Sequence, residues 1–412
     1  MTRRMLTHAG RRALAAFAVA SATIWLAAPQ ATAQSGGASE SATGDDAALA
    51  QQGMWIWYVS RSNGGSTVSI IQRARRSRVR TVYIKAGDGS SSWAQFTSSL
   101  VAKLHGGGLK VCAWQFVYGD HPVAEAKVGA AAVAKGADCL VIDAEGHYEG
   151  KYAAADRYIR SLRARIGASF PLSLAAFPYV AYHPSFPYSV FLGPGGATFN
   201  QPQMYWKAIG TTVSAVFAHT YLFNRVYERP ILPLGQTYLN PGTRQLKSFR
   251  RLAHSYGAGA GVSWWSWQET NGREWGALGA RVGAVAGLLP AKTHPVLARS
   301  RDRVGISRGD LVVWAQQHLI AAGQVNLRAT GVYGSGTFGA VQAFQASNGL
   351  PADGVIGTRT WQALLAHKPK RIRWAARRPS SGASASRVAR ARAPLSATLP
   401  ARGYEIDPGP RP

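Results

Sequence analysis

From residue 54 onward the chain alternates between two hydrophobic patterns. Short apolar runs stand at 54–59, 81–86, 110–118, 139–145, 170–177, 199–206, 231–238 and 261–269. Each has the length and composition of a buried strand. Between them apolar residues return every three or four positions, as in Phe96, Leu100 and Leu104, then Ile159, Leu162 and Ile166, then Val213, Phe217 and Tyr221. That is the period of a helix with one buried face, and Gly106 and Gly167 supply stops. The interval 181–196 carries Pro184, Pro187 and Pro194, so an elaborated loop is expected there. Eight strand–helix units in about 240 residues predict an α/β fold, a (β/α)8 barrel of the TIM type, over 51–289. The main rival is an open doubly wound sheet, and the lack of a Gly-rich phosphate loop after the first strand counts against it.

Beyond a polar, basic linker at 290–303, residues 304–366 read as a second domain. Thr330-Gly331-Val332-Tyr333-Gly334, followed by Thr337, is echoed by Asp353-Gly354-Val355-Ile356-Gly357, followed by Thr360. Each Gly-bounded turn permits positive φ, and each Thr suits a first helical turn. Val312, Ala315 and Leu319 make one apolar helix face, Ala340, Val341 and Phe344 another, and Trp361 with Leu364 a third. A small three-helix bundle follows. The string from Thr337 to Gln345 (T-x-x-A-V-x-x-F-Q), then Gly349-Leu350, then D-G-V-I-G-x-x-T from Asp353 to Thr360, resembles the peptidoglycan-binding domain family across 305–365. The sequence departs from that pattern at Thr330, where the family often has Asp, and at Ala315, where Leu is usual. The resemblance implies a module that holds a neighbouring catalytic domain on the cell wall, with peptidoglycan or another wall polysaccharide as partner. Phe344 and Trp361 read as its core.

The N-terminus bears on compartment. Arg3, Arg4, Arg11 and Arg12 precede an apolar stretch at 13–28 and the small residues Ala31-Thr32-Ala33. This reads as a secretory signal over 1–33, with an uncleaved anchor as the alternative. Arg11-Arg12-Ala13-Leu14 also looks somewhat like a twin-arginine signal. Residues 34–50 form a flexible linker. A secreted, wall-associated protein is expected, and no later segment is long and apolar enough to be integral to a membrane. The balance of 47 Lys+Arg against 19 Asp+Glu, net +28, favours anionic partners. Export argues against nucleic acid and for anionic wall polymers, which the basic, Pro/Ser/Ala-rich tail at 367–412 would meet if it is more than a solvated end. The two cysteines, Cys112 and Cys139, lie in apolar runs; export permits a disulfide, and buried free thiols are the simpler reading.

In a barrel of this kind chemistry belongs at the C-terminal ends of the strands. The polar and aromatic residues there are Asp88, Trp114, Gln115, Asp143, Glu145, Gln203, Tyr205, Gln236, Trp265, Trp267 and Glu269. Asp143 and Glu145 are the sharpest pair. Two apart on a strand, they point to one side, with Cα atoms about 6.5 Å apart. Two acids directly after Val141 and Ile142 are costly unless they face a wet cleft, the bland alternative being a salt bridge to Lys85. Paired carboxylates serve glycoside hydrolysis, and a substrate N-acetyl group can act as nucleophile. Trp55, Trp57, Trp114, Trp206, Trp264, Trp265 and Trp267 offer faces for sugar rings, although alternation sends about half of them into the core. Asp143, Glu145 and His147 alternate as metal ligands would, but His147 falls in the following loop, and neither metal nor cofactor is expected.

The barrel is distantly similar to the family-25 lysozymes, through the Asp143-Ala144-Glu145 strand, Tyr205 on the sixth strand and Trp267-Gln268 after the eighth. That resemblance implies Glu145 as general acid, Asp143 as its partner and Tyr205 assisting. Asp88, Trp114, Gln115, Gln203, Gln236, Trp265, Trp267 and Glu269 are the candidate substrate contacts. The family usually carries an acid on the first strand, where residues 54–61 have none; Asp88 or Glu269 is the candidate replacement. Together these readings predict a wall-directed, muramidase-like glycoside hydrolase. The alternative is a non-catalytic peptidoglycan-binding wall protein with a degenerate barrel.

Overall fold

The computed structural model describes residues 48–259, 261–299 and 305–374. The expected signal at 1–33, nearly all of the linker at 34–50 and the tail from 375 lie outside the described residues. The strands are β1 (Gly53–Ile56), β2 (Thr81–Asp88), β3 (Ser91–Ser92), β4 (Lys110–Val117), β5 (Cys139–Ala144), β6 (Leu172–Ala176), β7 (Phe199–Pro202), β8 (Leu234–Gln236) and β9 (Ser263–Trp265). All but β3 are parallel neighbours, in the order β7-β6-β5-β4-β2-β1-β9-β8. The bridges Asn200↔Ile231 and Gln203↔Leu234 bring β7 to β8 and nearly close the ring. The eight apolar runs are thus the eight staves of a parallel α/β barrel.

Period-two alternation sorts each strand between two cores. Met54, Ile56, Val82, Ile84, Val111, Ala113, Leu140 and Ile142 pack outward among the helices. Trp55, Tyr83, Cys112, Trp114, Cys139, Val141, Ala175 and Trp265 point inward and fill the barrel. Consecutive Trp264 and Trp265 fall on opposite sides, one in each core. The helical periods reappear as Ser98–Gly106, Tyr152–Ile166 and Val213–Asn224. The proline-broken interval contains only a 3-10 turn, Val180–Tyr182, and one turn of helix, Tyr188–Phe191.

Cys112 and Cys139 correct the expectation of free thiols: they form a disulfide. Parallel pairing of β4 with β5 sets Cys112 directly opposite Cys139, with Cα atoms 4.6 Å apart. Both side chains point into the barrel.

The C-terminal module is three helices, Asp310–Ala321, Ser335–Ser347 and Thr358–Leu365. Its internal repeat has a physical basis. Gln345 accepts from Gly354 N and donates to Asp353 Oδ1, Val355 O and Thr360 Oγ1. Gln316 accepts from Gly331 N and donates to Val332 O and Thr337 Oγ1 in the same way. One buried amide therefore pins each glycine turn to the helix that follows. Gly354 has φ +68°, and a Cβ there would run into the Phe338 ring, so both backbone and space require glycine. Phe344 and Trp361 are buried as core.

The module docks on the barrel through the proline-rich loop. Buried Asp310 accepts from Ser189 N (2.8 Å), Ser189 Oγ (2.6 Å) and Tyr227 OH (2.8 Å). Trp314 Nε1 donates to Val226 O at 2.7 Å. Much of the expected linker is pinned: Arg225 donates to Ala291 O and Thr293 O, and Leu297 bridges Ile306 and Ile356. Residues 367–374, expected to begin a free tail, lie along the barrel. Lys368 pairs with Glu228, Arg371 with fully buried Asp156, and Trp374 packs on Tyr152. Among the described residues no helix is long and apolar enough to cross a membrane.

Candidate active site

Along β5 the inward positions are Cys139, Val141 and Asp143, and Glu145 follows just past the strand end. The first two are apolar and fill the barrel; the last two reach its C-terminal mouth. Asp143 and Glu145 remain 6% and 4% exposed, so neither is solvated as a surface acid is. Both are held by one amide. Gln203 Nε2 donates to Asp143 Oδ1 at 3.0 Å and to Glu145 Oε1 at 2.9 Å. These two oxygens are therefore no more than about 6 Å apart. Burial, and then the neighbouring Glu145, push the Asp143 carboxyl well above the ordinary range, against Lys85 and the Gln203 bond. The physical result is an acid pair that holds on to a proton after a free carboxyl has lost it.

The walls are aromatic. Trp55, Trp57, Trp114, Phe116, Tyr205 and Trp265 surround the pair. Trp55 packs against Trp114 and Trp265 with ring centroids 5.5 and 5.7 Å apart. Trp55 Nε1 donates to Ser263 Oγ and Trp114 Nε1 to Ile56 O, whereas buried Trp57 Nε1 has no partner among the described residues. These rings leave about 20 Å3 free among them, room for about one water. A six-membered ring does not fit in that space.

Lys85 is a cleft residue that the candidate set lacks. Its ammonium, buried, lies 4.4–5.0 Å from the Trp57, Trp93 and Trp114 ring centroids. It pairs with Asp88 Oδ2 at 2.7 Å, and Tyr118 OH donates to Asp88 Oδ1 at 2.8 Å. The pairing of β2 with β4 slips between Lys85 and Gly87, a bulge at the barrel rim that re-aims Asp88. Lys85 therefore forms its ion pair with Asp88 and also lowers the proton affinity of Asp143. Its inward position could be found by counting two from Tyr83, and that of Phe116 by counting two from Trp114.

Tyr205 lines the cleft next to the acid pair. Burial, with Tyr238, Asp143, Glu145 and Glu269 nearby, pushes its hydroxyl well up, so it stays a proton-bearing donor at neutral pH. Glu269 is raised by partial burial, offset by Ser266 Oγ, which donates to it at 3.2 Å.

The structure gathers Asp143, Glu145, Gln203, Tyr205, Trp114 and Trp265 around one cleft, with Asp88 behind Lys85. Three candidates are placed elsewhere. Gln115 is one step out of phase with Trp114, and its amide donates outward to Gly89 O and Glu125 O. Gln236 caps backbone, accepting from Lys207 N and Ala208 N. Trp267 packs on Trp275 and donates to Asn63 Oδ1.

Comparison with known proteins agrees on the C-terminal module. No curated protein matches the chain. Among solved structures, a family 25 glycosyl hydrolase from Bacillus anthracis is similar at 16% identity, over 37% of this chain and 70% of its own, with a TM-score of 0.27. A glycoside hydrolase family 5 protein from Bacteroides vulgatus is similar at 12% identity, over 52% of this chain and 57% of its own, with a TM-score of 0.36. The chitinase domain of the spore coat protein CotE from Clostridium difficile is similar at 14% identity, over 44% and 64%, with a TM-score of 0.32. At TM-scores this low, none of these likenesses bears on what the chain does. The family model for "Putative peptidoglycan binding domain" matches residues 308–364. The chain thus joins an eight-stranded parallel α/β barrel to a peptidoglycan-binding domain at 308–364.

Proposed function

We propose that the barrel is a glycoside hydrolase acting on the glycan of the bacterial cell wall, held there by the C-terminal module. The observation that carries this is the buried Asp143–Glu145 pair, bridged by Gln203 at the mouth of an indole-lined barrel. The two oxygens that Gln203 bridges lie closer than the roughly 6.5–9.5 Å separation of inverting glycosidases, which favours retention. In the substrate-assisted form, the proton retained by the pair passes to the leaving oxygen through Glu145, leaving Asp143 ionised, while the acetamide oxygen of an N-acetyl sugar closes on C1. Asp143 orients the acetamide N–H, and Tyr205 donates to the same group. Water, giving its proton back to Glu145, then opens the ring intermediate. No metal or cofactor is invoked. The wall as working place, reached by export, belongs to the same reading, and an internal disulfide suits an oxidising compartment.

A second reading has an observation of its own. The Lys85 ammonium stands fixed in the cleft, and a cation there opposes the positive charge that develops on the sugar; Asp88 only partly offsets it. With no acid among residues 54–61, this favours a barrel that binds glycan without cutting it. Digestion of purified peptidoglycan, borohydride reduction and mass analysis separate the two. New reduced sugar ends are the expected result for the hydrolase. Fragments with free amines but no new sugar ends, or no fragments at all, would overturn it.

A further inference from the structure

A cavity of about 830 Å3 lies apart from the acid cleft. It is a groove between the two domains, built by the segments that follow β4, β5 and β6 on one side and by the module's first glycine turn on the other. Its size is inside the roughly 300–1,000 Å3 of ligand sites. Three cations, Lys151, Arg157 and Arg308, line it against one carboxylate, Asp120. Lys151 is committed to Asp120 at 2.6 Å and to Tyr118 O at 2.9 Å. Arg157 and Arg308 are exposed, and neither joins an ion pair among the described residues. The apolar side of the groove is the Trp374–Tyr152 pair, with ring centroids 4.7 Å apart.

We propose that this groove binds the acidic peptide branches of peptidoglycan. Two guanidiniums, Arg157 from the barrel and Arg308 from the module, suit separate carboxylates, each as a two-toothed partner. The aromatic wall suits the aliphatic side chains between them. A polyphosphate-type polymer would call for a continuous row of cations, which the groove lacks. The chain's own tail leaves from Trp374, but 375–412 carries seven Arg against two acids, the same sign as the groove. Position supports the assignment too. The loop that contributes Asp120 also contributes Tyr118, whose ring lies 4.9 Å from His147 and whose hydroxyl bonds Asp88 at the cleft. Groove and cleft therefore share the C-terminal end of the barrel, separated by one loop. A peptide seated in the groove would fix the glycan it hangs from relative to the acid pair. The proposal goes beyond the hydrolase reading and stands whether or not the barrel cuts.

The test is a calorimetric titration of the full chain with the free tetrapeptide L-Ala–D-Glu–meso-diaminopimelate–D-Ala, alongside Arg157→Gln/Arg308→Gln and Glu145→Gln. Saturable binding is expected, weakened about tenfold or more in the double variant and unchanged in Glu145→Gln. Both arginines are exposed and join no ion pair among the described residues, so the thermal midpoint of the double variant should match the wild type. Methylating the peptide carboxylates should abolish binding. No binding at millimolar peptide, equal affinity in the double variant, or binding of a glycerol-phosphate polymer in place of the peptide would overturn the assignment. Loss of sugar-end release in Glu145→Gln with peptide binding intact keeps the two proposals distinguishable.

Discussion

Gln203 is the residue on which the acid pair turns. Its single NH2 serves both carboxylates and lowers the proton affinity of Asp143 against burial and the neighbouring charge. Replacing it by Leu removes both bonds, so the Asp143 carboxyl should titrate at higher pH still. Carbon-13 NMR of labelled carboxyls would read that shift even in an inactive protein; an unchanged or lower titration would contradict the bridge. Tyr205→Phe removes a donor and little volume, and a loss of about 10- to 100-fold in kcat with KM nearly constant is expected from the kinetics of sugar-end release. The acid pair was legible because period two places residues 143 and 145 together. The same parity separates Gln115 from Trp114, so strand-end position alone was too coarse a criterion. Gln203 and Gln236 cannot be told apart that way: what one amide bridges and the other caps depends on which backbone ends meet in space.

At the scale of elements, apolar runs bounded by polar turns made all eight staves readable. β3 was not, since Ser91–Ser92 is polar and exists only by pairing with the end of β2. The disulfide was not readable either. A separation of 27 residues says nothing of register; parallel pairing of β4 with β5 sets it. A crosslink over such a loop is worth about 3–4 kcal/mol in the chain-entropy view. Replacing both cysteines by Ala should lower stability by about that amount in denaturant titration, and an unchanged midpoint would mean the bond does not form. In the module, the repeated glycine turn announced itself in sequence, while the partner role of Gln316 did not, because it precedes its turn by 15 residues where Gln345 precedes its own by 9.

At the scale of the whole molecule, the two domains are joined by buried polar contacts that no sequence pattern signalled. Asp310 is the centre of that joint. Burial pushes its carboxyl up to about 6, although Ser189, Tyr227 and Tyr152 all donate to it. A group raised in the folded state stabilises fully below its unfolded value, and that contribution fades as pH rises through the folded one. Asp310 should therefore contribute less at pH 7 than at pH 4, by about 3 kcal/mol at most. The stability difference between wild type and Asp310→Asn, followed by thermal unfolding across that range, should narrow toward neutral pH; a widening difference would contradict the sign. Because Asp156 and Tyr227 lose partners when the module is cut away, point variants test targeting more cleanly than truncation.

The central claim is that Glu145 does chemistry at the mouth of this barrel. The direct measurement is the initial rate of sugar-end release from purified peptidoglycan by the full chain and by Glu145→Gln, with sedimentation of each protein on the same wall. The hydrolase predicts release by the wild type, a loss of about 1,000-fold in kcat for the variant, and equal sedimentation. Equal rates for the two proteins, or wild type that sediments with the wall and releases nothing, would contradict it.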